Sequence, residues 1–513
     1  MRTVVNYTMR IEIPCLPLKI GTFSQIWHNS PLEPVCEGNS SMPTQIQHKN
    51  RLTVQTLGCK LNYAETSELA KQFVLRGYEI GGLSANTNVF LLNTCSVTLN
   101  AERECRQIIR RVKRTAPDAF IAVTGCYAQL RPEEIAGIDG VDVVLGAKEK
   151  FQLFELQDSF AKSQTPKIYA SEISEANDFD IASSAIDGER TRAFLKVQDG
   201  CDYSCSFCTI PLARGSSRSV GIDPILIEAR KLCREGFFEI VLTGVNVGDY
   251  GRKTGTSFFE LVQSIEADSE ISARIRISSI EPNLLTDEII RIVAASRKFC
   301  PHFHIPLQSG APSILRRMQR RYTAEFYRSR IETIKQAIPS AGIGVDVIVG
   351  FPGESDDDFE QTFDFLHAID ISYLHVFTYS ERPDTPAATI GCVVPPEIRK
   401  LRNHRLRILS EKKRRAFYAS QTGRVATVLV EQPDMHCGEA TDVLSGFTEN
   451  YIRVRIPKGV KAENQLAEVL LGDATGDVMG GQILRILPQS YSRPARQMVS
   501  QRYDSLILPI LQA

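Results

Sequence analysis

The chain has 513 residues with 60 Lys and Arg against 60 Asp and Glu, so net charge points to no nucleic-acid partner and any basic surface must come from local segregation. Hydrophobic residues make up 43% and charged residues 23%, as in soluble globular enzymes, and no run approaches the ~20 consecutive apolar residues of a membrane span. Thirteen cysteines in a chain without a signal-peptide core, hence one expected to be cytoplasmic, point to metal binding or catalysis rather than a disulfide framework.

Residues 1–50 mix Pro, Ser, Asn and Gln without periodicity and read as a disordered extension. From 51 to 155 strand and helix alternate: LTVQTLG (52–58), a helix over 65–77, NVFLLN (88–93), a helix over 101–114, AFIAVTG (119–125) and VDVVLG (141–146). Such alternation predicts a parallel α/β sheet. Residues 156–192 turn polar and read as a linker. A second α/β run, 193–418, carries strands at AFLKVQ (193–198), EIVLTG (239–244), RIRISS (274–279), HFHIPL (302–307), GVDVIVG (344–350) and HVFTYS (375–380). That is about six β/α units, a partial (β/α)6 barrel rather than the closed barrel of eight. A basic helix follows Pro395, residues 419–490 read as a small β-barrel of short strands, and 491–513 form a tail without pattern.

The segment DGCDYSCSFCTIP (199–211) places Cys201, Cys205 and Cys208 just beyond a predicted strand, at the edge where barrel active sites sit. Three thiolates in one tight loop hold three irons of a cubane cluster and leave the fourth open for the amino and carboxylate groups of S-adenosylmethionine (SAM). Structural zinc, the other reading, wants four ligands, and no fourth Cys or His lies nearby. The spacing resembles the radical SAM superfamily signature, and the six-unit pattern resembles that superfamily's partial barrel. Phe207, just before the third cysteine, is placed to pack on an adenine.

Cys59, Cys95 and Cys126 each follow one strand of the N-terminal run. Successive parallel strands share their C-terminal edge, so the three converge and fit a second cluster with an open iron; the alternative is three separate buried thiols. Here TLGCKLNYAET, LLNTCSVT, VTGCYAQ and LKVQDGCDYSCSFCTIPLARGSSRS resemble the methylthiotransferase family, and within it the MtaB type, with HIPLQSG (304–310), VIVGFPGES (347–355) and YSERPDTPAA (379–388) extending the likeness over about 51–490. The resemblance implies two [4Fe–4S] clusters, a radical SAM core, a C-terminal TRAM barrel that binds RNA, and addition of a methylthio group to C2 of N6-threonylcarbamoyladenosine 37 in a tRNA anticodon stem–loop. On that implication the radical from SAM removes hydrogen from C2, the second cluster supplies sulfur and a second SAM supplies the methyl group. A reduced flavodoxin- or ferredoxin-type electron donor and a sulfur donor are the further partners, and no membrane is involved. Rival readings are a methylthiotransferase for isopentenyladenosine or a ribosomal-protein aspartate, and a non-catalytic iron–sulfur RNA-binding protein.

Candidate SAM contacts lie on the strand-end loops of the core: Gly244 and Asn246 in LTGVNVG, Glu281 in RISSIEP as a ribose partner, and Gln308 in PLQSG. For each, a tight turn or barrel-end cap is the other reading. Candidate RNA contacts are Arg414 and Arg415, in a helix with nine Lys or Arg against two Glu over 397–415, and Arg316 and Arg317 beside the core. Phe447 and Tyr451 in GFTENYIRV complete the set, either stacking on unpaired bases or filling the barrel.

Overall fold

The computed structural model describes residues 50–96, 99–176, 178–184, 191–431, 443–457, 459 and 461–488. The N-terminal extension before Asn50 and the C-terminal tail lie outside them.

Strands β1 (Arg51–Thr56), β2 (Glu79–Ile80), β3 (Val89–Thr94), β4 (Phe120–Gly125), β5 (Val143–Leu145) and β6 (Lys167–Tyr169) form one parallel sheet in the order β2-β1-β3-β4-β5-β6. β3 and β4 are buried along their whole length, which explains their unbroken apolar runs. The first helix starts at Lys60, directly after Cys59, rather than at Glu65, and runs to Val74. β6 is a correction to the linker reading of 156–192: three residues, KIY, pair with β5 from within a polar stretch. As a short edge strand with two exposed residues it carries no apolar signal.

The core follows with β7 (Arg192–Lys196), β8 (Glu239–Thr243), β9 (Arg274–Ile277), β10 (His302–His304), β11 (Gly342–Val349) and β12 (Tyr373–Thr378), all parallel and in chain order. Parallel bridges Ile275–Phe299 and Ser279–His304 join its two halves into the partial barrel of six units. Ser257, Thr286, Thr323 and Ser355 each cap one of the helices between these strands through a side-chain oxygen. The basic helix spans Pro396–Ala419 and leads into a closed barrel of β13 (Val425–Glu431), β14 (Val443–Thr448), β15 (Arg453–Pro457), β16 (Gln465–Thr475) and β17 (Val478–Ile486).

The hairpin between β14 and β15 closes the N-terminal end of the core barrel. Arg274 and Arg276, on β9, donate to the carbonyls of Thr427, Phe447, Thr448 and Glu449, while both grip the buried Glu239 of β8. Gly342 and Gly344 open space on the inner face of β11: a Cβ at 342 would lie 2.1 Å from the Asn450 carbonyl oxygen, and one at 344 would lie 2.5 Å from the Tyr373 ring. Phe447 and Tyr451 belong to this plug. They stack on each other at 4.8 Å, Tyr451 stacks on His302 at 4.6 Å, and Arg192 and Arg276 each cover one ring at 4.9 Å. This corrects their reading as base-stacking platforms, because the ring faces are occupied by protein. No described helix is long and apolar enough to cross a membrane.

Candidate metal centres

The first cradle occupies the loop after β7. Backbone N–H groups of Tyr203 and Ile210 donate to the sulfurs of Cys201 and Cys208, each at 3.4 Å, and Arg320 Nη1 donates to Cys205 Sγ at 3.0 Å. Burial pushes the Cys201 and Cys208 thiols up to about 12, and Cys205 is also raised by burial against the pull of Arg320. Three such sulfurs become thiolates together only when an iron cluster takes their charge. The donors aimed at every sulfur fit an anionic cluster at this place.

The second cradle lies on the C-terminal edge of the neighbouring strands β1, β3 and β4. Gly58 and Gly125, immediately before Cys59 and Cys126, share a φ of +100°, a left-handed turn that ends the strand and presents the next residue at the edge. A Cβ on Gly58 would sit 2.8 Å from the Cys95 Cβ, and Cys126 and Cys59 lie within electrostatic reach of each other. Burial raises the Cys126 thiol, and a hydrogen bond and charge from Arg214 oppose it. Buried Ser96 Oγ and Thr124 Oγ1 beside the cradle have no hydrogen-bond partner among the described residues, so two hydroxyl donors stand ready for a sulfur-rich group. The donor set therefore fits a second cluster.

A buried charge network joins the two cradles, and the sequence did not announce it. Glu65 accepts from Lys150 at 2.5 Å, from Lys196 at 3.2 Å and from both terminal nitrogens of Arg214 at 3.0–3.1 Å. Arg214 also holds Asn62 and Asp199, and Asp199 takes Lys196 and Arg218 as well. Asp199 stands two residues before Cys201, so the chain runs from the second cradle through Arg214 to the first. Burial opposes both carboxylates, but the surrounding cations hold Glu65 and Asp199 well below their ordinary range. Each cradle is thus backed by one buried arginine, Arg320 on Cys205 and Arg214 on Cys126.

The remaining sequence candidates divide. Glu281 is paired with Arg320, the same arginine that donates to Cys205, so it lies at the first cradle. Asn246 is buried and spent within the protein: its side chain bonds Asp249 and the Glu281 N–H, and its own N–H donates to Gln198. The open side of Gly244 faces Gln198, with a Cβ there 2.9 Å from Oε1, so its small size serves protein packing. Gln308 sits on the rim with φ +70°, a conformation held by backbone bonds to β11. Phe207 is half-buried against the apolar group of Ala311, Ile314, Met318 and Phe351.

The basic helix is only partly a free surface. Arg399 and Arg402 are buried and bind Glu381, Glu354 and Asp356, Arg405 pairs with Glu360, and Lys413 caps the carbonyls of His367 and Ile369. Arg407, Lys412 and Arg415 remain exposed, with Arg414 half-buried near His375. Arg316 and Arg317 are exposed, and Arg317 donates to the Gly353 carbonyl.

The family model for the radical SAM superfamily matches residues 195–366, and the model described as Uncharacterized protein family UPF0004 matches residues 51–146. A Bacillus subtilis protein named threonylcarbamoyladenosine tRNA methylthiotransferase MtaB is 37% identical over 442 residues, covering 86% of this chain and 98% of the relative. The Aquifex aeolicus protein of the same name is 36% identical, covering 82% of this chain and all of the relative. An Acetivibrio thermocellus tRNA-2-methylthio-N(6)-dimethylallyladenosine synthase is 34% identical, covering 78% and 84%. Among solved structures, the radical SAM methyltransferase TsrM of Kitasatospora setae shares the fold at a TM-score of 0.51 and 15% identity, over 66% of this chain and 75% of that one. With nearly the whole length of these relatives matched and both cysteine triads in place, the chain belongs to the MtaB-type radical SAM methylthiotransferase family.

Proposed function

We propose that this protein adds a methylthio group to C2 of N6-threonylcarbamoyladenosine at position 37 of tRNA. The observation that carries the reading is the pair of three-cysteine cradles on two neighbouring sheet edges, each backed by a buried arginine and joined through Glu65 and Asp199. Cys201, Cys205 and Cys208 would hold the cluster that binds SAM, and Cys59, Cys95 and Cys126 the second one. When bound, these groups supply a 5′-deoxyadenosyl radical on one-electron reduction and the sulfur to be transferred. Arg320 offsets the negative charge of the first cradle and fixes Glu281 beside it, while Arg214 does the same at Cys126. The half-barrel walls and the plug below bound the lumen at its sides and base, and an unpaired anticodon-loop base enters it at modest unstacking cost. Exposed Arg316, Arg317, Arg407, Lys412 and Arg415, with Arg414, provide phosphate contacts around the stem–loop. A reduced flavodoxin- or ferredoxin-type protein supplies electrons and a separate donor replenishes sulfur.

The test is direct. Reconstituted enzyme with SAM, a reductant and a sulfur source should convert tRNA carrying threonylcarbamoyladenosine to its 2-methylthio form, read by nucleoside mass analysis, and should leave unmodified adenosine untouched. Preference for dimethylallyladenosine, the substrate class in the name of one relative, would overturn the assignment.

A further inference from the structure

The lumen of the core barrel contains a polar group that the cluster chemistry does not use. His304, Asp346 and His375 face one another from β10, β11 and β12, with Asp346 and His375 in register across the strands. His304 Nε2 bonds Asp346 Oδ1 at 2.8 Å, His304 Nδ1 meets Ser279 Oγ at 2.6 Å, and the His375 ring lies edge-on to His304 at 5.5 Å. Below them, Tyr373 OH and His302 Nε2 are 2.9 Å apart, above the Tyr451 floor. His375 is solvent-accessible, yet partial burial lowers its pKa, with Lys60, His304 and Arg414 acting in the same direction.

Three ligand-type atoms within 4.8 Å suggest a metal site at first sight. The surrounding charge argues against a cation. Lys60, at the start of the first helix, comes within electrostatic reach of Tyr451, His302, Asp346 and His375, and its ammonium makes no hydrogen bond or ion pair among the described residues. Arg276 acts on His302 and Tyr451, and Arg414 on His375. Burial pushes the Tyr451 phenol up, yet Lys60, Arg192 and Arg276 together hold it below its ordinary value. Asp346 is taken by His304, and Glu239 is consumed by Arg274 and Arg276. What the lumen lacks is an anion.

We infer that Lys60, assisted by His375, binds the carboxylate of the threonyl group on the substrate adenosine, and so selects that modification over an apolar one at the same position. The inference rests on the proposed function and deepens it. A carbamoyl-linked threonine carries one free carboxylate; a dimethylallyl group carries none. The ammonium of Lys60, standing one residue from Cys59, places that carboxylate between the second cradle and the barrel wall. Lys60 is exposed, so substrate entry is what strips water from its ammonium; an uncharged group would leave it desolvated and unpaired, and that is what discriminates.

The experiment compares two anticodon stem–loops, one with threonylcarbamoyladenosine and one with the corresponding carboxamide, using full-length reconstituted enzyme. The unaltered enzyme should prefer the carboxylate in kcat/KM by about ten- to hundred-fold. Lys60→Gln should raise KM for the carboxylate substrate and erase the preference, and Lys60→Arg should restore most of it. Because Lys60 adjoins Cys59, iron is measured in each preparation. If Lys60→Gln loses iron, His375→Gln, on β12 and not adjacent in sequence to any cradle cysteine, decides, and it should reduce the preference several-fold. An unaltered enzyme that treats both substrates alike, or a preference that survives both substitutions, overturns the inference while leaving the methylthiotransferase reading intact. Failure of the unaltered enzyme on threonylcarbamoyladenosine would instead overturn that reading.

Discussion

Replacing Glu65 by Gln should destabilise the protein by about 3–5 kcal/mol at pH 7, the usual cost of removing one partner from a buried ion pair. Glu65 is fully buried and its two oxygens take four contacts from Lys150, Lys196 and Arg214. Glutamine keeps one acceptor and turns an amide donor towards cations, leaving Asp199 alone to face them. Relief comes from Lys150, whose pKa burial already lowers and which can shed its proton when Glu65 is gone. The pH dependence follows with definite sign. The folded-state pKa of Glu65 is depressed, so its stabilisation is present above its unfolded value of about 4.3 and is lost as pH falls below it. Towards pH 10 a neutral Lys150 becomes cheap, so the deficit should shrink at that end too. Urea unfolding of the holoprotein from about pH 3 to about pH 10 reads the start of the acid limb and the alkaline one. A deficit below about 1 kcal/mol at pH 7, or one independent of pH, would refute the reasoning.

Anaerobically reconstituted protein should hold about eight irons; Ala at Cys201, Cys205 and Cys208 should halve them and abolish SAM cleavage, whereas Ala at Cys59, Cys95 and Cys126 should halve them and preserve it. Full iron in the second variant would remove the second cradle from consideration. Gly125→Ala, whose Cβ would fall 2.4 Å from Asn93 Oδ1 and the Thr94 carbonyl oxygen at φ +100°, should empty the second cradle alone. Gly77→Ala, equally left-handed at +86° but with nothing within 4 Å, should cost only about 1 kcal/mol and retain iron. Arg414→Ala with Arg415→Ala should weaken tRNA binding and reduce the salt slope by about two, one per phosphate contact, in a titration against KCl. Arg402→Ala should leave that slope unchanged and lower the unfolding midpoint, since this arginine serves Glu354 and Asp356.

Strands such as VFLLNT and FIAVTG are legible because a parallel sheet buried on both faces leaves an unbroken apolar run. The cysteines were legible for a related reason: once the strands are parallel, residues that follow them must share an edge. KIY of β6 was not, since an edge strand of three residues is too short for a period and too exposed for an apolar run. The partners of Glu65 were equally hidden: they lie 85, 131 and 149 residues away, and nothing local distinguishes a buried charge from a solvated one. The same blindness hides that, within the basic helix, Arg399 and Arg402 are interior. Phe447 and Tyr451 were singled out with two readings, base stacking or barrel filling, and the contact with His302 and the core arginines was neither, because a ring at a turn reads alike whatever lies opposite.

The hairpin that plugs the core barrel bears on how such proteins can be taken apart. A domain that only held RNA could be exchanged between enzymes like a handle. Here the handle is also the chamber floor: the Asn450 carbonyl occupies the space above Gly342, and Tyr451 lies under His302. A graft of a foreign C-terminal barrel would therefore have to bring its own hairpin and find a glycine at 342 to receive it. Without them the recipient would lose the base of its reaction vessel along with its grip.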